Sequence, residues 1–239
     1  MNYRPIVIAV SCILLMANLV RGDGPAPKVK LVSAQFRCKF MDDKKQEISP
    51  AHAIVWVWAV NGDRKFPIGQ TADGGKIPTV FVSLKGGLKQ SPRVILPGKC
   101  NVVLENHEGE AIIPIFDTSP PNPVSCAMIS AKATQELQFV PTWRPFGIRD
   151  LIHPDWKLPQ ILIPEIPCAG VADEKGVVEL RNLPVGKVVL AIWNDEGEFG
   201  SSVGTTLVEI TPKHPGTVVI DAEFRIGRSQ ELVKESAAK

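Results

Sequence analysis

The chain has 239 residues, of which 22% are charged, and 27 Lys and Arg against 25 Asp and Glu give a net charge of +2. So even a balance excludes the strong field by which proteins hold nucleic acid or anionic lipid. The length allows one or two domains with cores of ordinary size, and 21 prolines with 19 glycines suit many short strands and turns.

The first segment reads as a targeting sequence. Arg4 supplies the positive charge, Ile6 to Val20 is nearly all apolar, and Val20-Arg21-Gly22 stands before the predicted cleavage at Asp23. Residues 1–22 are thus a predicted signal peptide, and the mature protein is expected to be exported, to periplasm or cell exterior. An apolar run of about 15 residues falls short of the roughly 18 that a membrane span needs. No stable span is expected after cleavage, with an uncleaved anchor as the alternative. The apolar stretch before Cys12 is too short for a lipidation signal. Cleavage leaves Cys38, Cys100, Cys126 and Cys168. An even count in an exported chain predicts disulfides. The C-x-x-C spacing of zinc ligands is absent, and three pairings are open.

Strand patterns dominate the mature chain. Lys28 to Phe40 alternates, and Ala53 to Val60 (AIVWVWAV) is a continuous apolar run that predicts a strand buried on both faces. Thr79 to Leu84, Arg93 to Leu96, Asn101 to Glu105 and Ala111 to Phe116 are short strands between glycine turns. Thr118 to Pro123 (TSPPNP) reads as a polyproline-like loop. Pro141 to Pro167 is rich in Pro and Trp and too broken for a helix of any length. The stretch Asp173 to Trp193 (DEKGVVELRNLPVGKVVLAIW) predicts a β-hairpin turning at Leu183 to Gly186. Thr205 to Ile210 and Thr217 to Phe224 complete the strands. The tail, 227–239, has helical propensity but few apolar anchors, which predicts a frayed or weak helix. The whole predicts an all-β sandwich class.

HPDW at His153, then VADEKGVVELRNLPVG, then AIWNDEG occur in that order. In this the chain resembles exported bacterial proteins that join a cupredoxin-like domain to a carboxypeptidase regulatory-like (transthyretin-like) sandwich. The resemblance implies two β-sandwich domains, one inserted in the other: 28–91 with 164–226 as the regulatory-like sandwich, and 92–163 as the cupredoxin-like part. It implies disulfides Cys38–Cys168 and Cys100–Cys126, with Cys100–Cys168 as the rival. It also implies a copper site of one thiolate, two imidazoles and a weak axial thioether. Here Pro123 falls where the first His belongs, Asp150 where the Cys belongs and Trp156 where the Met belongs. Only His153 matches, so the expectation is a lost copper site and no cofactor.

Other residues carry weaker signals. His107 lies among Glu105, Glu108 and Glu110 and reads as a solvated turn, or as a metal or proton site. His153 with Asp150 and Asp155 suits a divalent cation or a capped loop. His52 and His214 stand beside prolines as turn residues. Asp173-Glu174 and Asp195-Glu196 sit in turns, where carboxylates serve the backbone. Trp56 and Trp58 share one strand face and pack, while Trp143, Phe146 and Trp156 anchor a loop or line a binding surface. No G-x-S-x-G, H-E-x-x-H, P-loop or dinucleotide fingerprint occurs. The expectation is a non-catalytic structural or binding protein, with another exported protein or a cell-surface component as partner. The alternative is a mononuclear metal or redox protein built on His153 with His107 or a carboxylate.

Overall fold

The computed structural model describes residues 30–41, 47–64, 77–194, 203–211, 219–226 and 229–237. The predicted signal peptide with Cys12, His214 and the Asp195-Glu196 turn lie outside these residues. In chain order the strands are β1 (Leu31–Met41), β2 (Glu47–Ile48), β3 (Ile54–Val60), β4 (Thr79–Leu84), β5 (Arg93–Ile95), β6 (Cys100–Asn106), β7 (Pro114–Phe116) and β8 (Thr134–Phe139). Then come β9 (Phe146–Asp150), β10 (Gln160–Leu162), β11 (Ala169–Val171), β12 (Val177–Pro184), β13 (Gly186–Trp193), β14 (Val203–Ile210) and β15 (Val219–Ile226). One helix, α1 (Ser229–Ala237), comes last among the described residues. The class is all-β.

The largest sheet runs β11-β3-β13-β14-β15-β1-β12, with β2 beside β1. It curls until its two edges approach. At Gly170 in β11 an added Cβ would fall 2.7 Å from Val178 Cγ2 and 3.0 Å from the Glu179 carbonyl of β12. The inner face closes on Phe36, Phe40, Val57, Leu180, Leu190, Ile192 and Phe224, all buried. The apolar run in β3 is buried on both sides because it lies between β11 and β13 with cores on both faces.

Asp173 to Trp193 does not form the expected hairpin. β12 pairs with β1, whereas β13 pairs with β3 and β14. The Leu-Pro-Val-Gly segment is a corner that carries the chain from one edge of the curled sheet to its middle. Gly186 at φ +130 makes that corner, with Asn61 Oδ1 2.7 Å from where a Cβ would stand. The acidic turn behaves as expected: Asp173 Oδ1 accepts from the N–H groups of Lys175 and Val177, and Gly176 sits at φ +73.

Residues 77–163 build two smaller sheets, β4-β6-β8 and β5-β10-β9-β7. They enclose a second core around Leu84, Leu104, Phe116, Phe139, Phe146 and Ile161. Thr79–Leu84 pairs with Cys100–Asn106 in parallel. A third cluster, Ile54, Trp56, Leu162, Ala191 and Trp193, joins the inserted sheets to the outer face of the large one. The tail is a formed helix. Leu232 packs on Ala59 and Val189, and the Ser236 hydroxyl accepts from the Gly62 N–H at 3.0 Å.

The expected disulfides are corrected: Cys38, Cys100, Cys126 and Cys168 are all free thiols. Cys38 and Cys168 share the first core, and Cys100 and Cys126 pack at the second. Each is accommodated as a small apolar side chain. The Cys168 thiol donates to the Arg181 carbonyl at 3.1 Å. Burial pushes the Cys38 and Cys168 thiols up to about 12.

Candidate functional site

β9 ends at Asp150, paired with Pro114 of β7, and the chain turns through Leu151 and Ile152 into His153. Asp150 is the anchor of this turn. Its carboxylate is fully buried and accepts from four N–H groups. Oδ1 takes the backbone N–H of Ile113 at 2.8 Å and of Ile152 at 3.2 Å. Oδ2 takes the backbone N–H of His153 at 3.2 Å and its ring Nδ1 at 2.5 Å. The short loop thus caps itself with its own strand-end carboxylate.

The other ring nitrogen, Nε2, meets Glu110 Oε2 at 2.9 Å. The imidazole lies between two carboxylates and stacks on Trp156, with ring centroids 4.0 Å apart and planes at 7°. Trp156 in turn lies against Gly86, where a Cβ would fall 2.6 Å from its ring carbons. Hydrogen bonding to Asp150 raises the His153 pKa most, Glu110 adds to it, and burial opposes it. Both carboxylates favour the charged imidazolium form, over an indole face. The two carboxylates are unequal: the side chain of Glu110 is 75% exposed and that of Asp150 is not exposed at all. Exposed pairs contribute little, so Asp150 dominates.

Asn106, absent from the sequence-based candidates, positions Glu110. Its buried amide is shared among the carbonyls of Glu110, Ile129 and Ser130, and its oxygen accepts from the Glu108 N–H. Glu108 then accepts from the Gly86 N–H at 2.9 Å. The only trace in the sequence is the Asn-His-Glu-Gly-Glu turn itself.

The remaining candidates are dispersed. His107 pairs with Glu105 at 3.4 Å on the surface, and its carbonyl accepts from Lys132. Asp155 is exposed. His52 adopts φ +57 in a turn and gives its carbonyl to Arg93. Pro123 lies beyond Phe116, at the other end of β7, where Val124 receives the Phe116 N–H and Asp117 bonds Gly147. Asp150, His153 and Trp156 therefore converge and Pro123 does not. Trp56 packs in the junction cluster. Trp58 meets Trp143 edge-to-face at 6.3 Å. Phe146 is core, stacked on Phe139 at 5.5 Å.

A metal does not fit this centre. Both ring nitrogens of His153 are taken up by carboxylates and point at no open position, and four bonds fill the acceptor positions of Asp150. The carboxylates sit on opposite edges of the ring and do not point at one spot. Among the described residues, no group of three or more His, Cys, Asp or Glu side chains is arranged to hold a metal ion. No family model matches the chain, and no curated protein matches it.

Proposed function

We propose that this is an exported, non-catalytic structural or binding protein of β-sandwich type, in which a salt-bridged imidazolium stands where a cupredoxin-like protein would carry copper. On this reading residues 77–163 are the cupredoxin-like part, inserted into a regulatory-like sandwich formed by the strands on either side. The observation that carries the proposal is His153 itself, with both ring nitrogens bound to carboxylates and its face on Trp156. The centre works as a latch between the Asp150 turn and the Asn106–Glu110 turn. Two further facts support a non-catalytic role. The same bonds leave His153 no free nitrogen for general-base chemistry. Thiols held near 12 supply almost no thiolate at neutral pH.

The test is metal analysis of pure protein after loading with Cu(II) or Zn(II) and dialysis, repeated on His153→Ala. The expected result is no stoichiometric metal in either. One equivalent of copper retained by the native chain and lost from His153→Ala would overturn the proposal in favour of a mononuclear metal protein.

A further inference from the structure

We infer that the cleft beside Trp143 binds a neutral saccharide. It lies at the Gly147 end of β9, opposite the Asp150 end that carries His153, and the inference does not depend on how the His153 centre is read.

The cleft is a cavity of about 260 Å³ between the Asp117–Asn122 loop and the Val140–Phe146 segment. Its two walls are tied together. Asn122 Oδ1 accepts from the Val140 N–H at 2.8 Å, and its amide donates to the Val140 carbonyl at 3.3 Å. Asp117 is fixed by its own N–H on Gly147 and by Arg149, whose Nε and Nη2 both bond Oδ1 at 3.1 and 2.8 Å. The Asp117 carboxylate is thus held in place on the cavity lining. The site is preformed, which lowers the ordering cost of binding.

Trp143 stands at the rim with 59% of its surface exposed. An indole so exposed is costly to leave in water, yet this one is held in place. Trp58 braces it edge-on, and the Arg144 guanidinium lies 4.8 Å from its ring centroid. Beyond Trp143 a smaller hollow of about 50 Å³ continues between Trp58, Arg64 and Glu165. Thr142 lines both hollows. Its hydroxyl and the Trp58 indole N–H are buried without a hydrogen-bond partner. Buried polar groups are rarely left so, and here the two unsatisfied groups lie at one seam.

The chemistry of the walls selects the ligand. Charges of both signs line each hollow: Arg144 and Asp117 the larger, Arg64 and Glu165 the smaller. No net field favours an ion. The volume lies just under the roughly 300–1,000 Å³ of sites for drug-sized molecules, which suits a single ring. Each wall mixes apolar and polar groups: prolines 120 and 121 stand beside Asp117, Thr118 and Ser119 on one, and Pro141 and the indole beside Thr142 and Arg144 on the other. A pyranose brings the same two kinds of surface, a C–H face for the indole and prolines and a rim of hydroxyls that both donate and accept for the polar groups. A proline-rich strand would also lie on an aromatic ridge. It brings carbonyl acceptors but no N–H at its prolines, so it would offer the carboxylate and hydroxyls of the lining fewer donors than a sugar does.

Isothermal titration calorimetry on the full chain tests this, with cellotriose, chitotriose, mannotriose and galactotriose, and with a proline-rich decapeptide. At least one trisaccharide should bind with a Kd at or below about 1 mM. Trp143→Ala should weaken it at least tenfold without lowering the melting temperature. Asp117→Asn, which keeps the side chain's shape, should weaken it likewise, so the result does not hang on one variant's fold. Three outcomes would overturn the inference: no heat from any trisaccharide at about 10 mM, ten times that Kd; equal binding by both variants and the native chain; or binding of the decapeptide alone.

Discussion

Asp150→Ala removes the acceptor on which the His153 turn is built. The native carboxylate is fully buried and takes N–H groups from Ile113, Ile152 and His153, the last through both backbone and ring. Hydrogen bonds to a charged group contribute roughly 1.5–3 kcal/mol each. Four of them do not add in full, because Leu151 and Ile152 are exposed and water can reach the vacated N–H groups. Breaking a buried pair by removing one partner costs about 3–5 kcal/mol, and that is the expected loss. In a chain of this size each kcal/mol moves the melting temperature by roughly 2–4 °C, so a fall of about 6–20 °C should be seen by circular dichroism. Asp150→Asn should recover part of it. Its amide oxygen still accepts from two backbone N–H groups, while its NH₂ opposes the His153 donors. If Asp150→Ala melts within about 2 °C of the native protein, the carboxylate does not anchor the turn.

Three further outcomes are expected. The folded-state pKa of His153 is raised, so its stabilisation is complete below the unfolded value of about 6.5 and is lost as pH rises through the folded value. An NMR titration should place the ring midpoint above 6.5 and Asp150→Asn should lower it; a native midpoint below 6.5 would falsify the ion pair. Iodoacetamide at pH 8 should leave Cys38 and Cys168 unlabelled in the folded protein, since burial holds both near 12. In denaturant all four described cysteines should react with no reductant added, and a need for reductant would mean a disulfide. Gly170→Ala should destabilise by roughly 1–3 kcal/mol through overpacking, because its Cβ meets Val178 Cγ2 at 2.7 Å and a backbone oxygen at 3.0 Å. An unchanged urea midpoint would show that β11 and β12 do not approach so closely.

The strands most legible in the sequence are those whose pattern is set by burial alone. β1 alternates because one face meets the first core, and β3 is unbroken because both faces are covered. Pairing is not legible in this way. Leu183 to Gly186 has hairpin chemistry, but local turn signals say nothing of what a strand meets after the turn. β13 is buried along most of its length, and a place between β3 and β14 covers it where a hairpin edge would not. β8 (TQELQF) carries little strand signal because it is a sheet edge with polar residues on its exposed face. β9 and β10 lie inside the proline-rich segment and are too short to show a period. The helix forms on few apolar anchors because Leu232 and Val233 suffice once Ala59 and Val189 supply the other side.

The His153 centre divides in the same way. Asp150 and His153 stand three residues apart on one turn, so their bond is a local matter that the sequence displays. Glu110 comes from 43 residues away and is delivered by Asn106, whose three carbonyl partners only the fold brings together. That delivery bears on how far the centre stands from a metal site. Removing Glu110 would free Nε2 and so give one lone pair. Asp150 would still be filled by its four N–H groups, and Trp156 would still cover the face of the ring. Pro123, which the resemblance sets at the first ligand position, would still lie at the far end of β7. One imidazole nitrogen without a second protein donor cannot hold copper in a trigonal geometry. Building such a site therefore demands a new donor on the Asn106–Glu110 turn, which already reaches Nε2. His107 is on that turn but is turned away to Glu105. Exchanging Glu110 for His would place an imidazole against Nε2 and is the smallest change that should create Cu(II) affinity at this centre. Copper titration of Glu110→His, with the visible spectrum recorded at each step, should show a new bound species; a spectrum identical to that of the native chain would mean that Asp150 and Trp156 hold the ring too firmly for it to turn into a ligand.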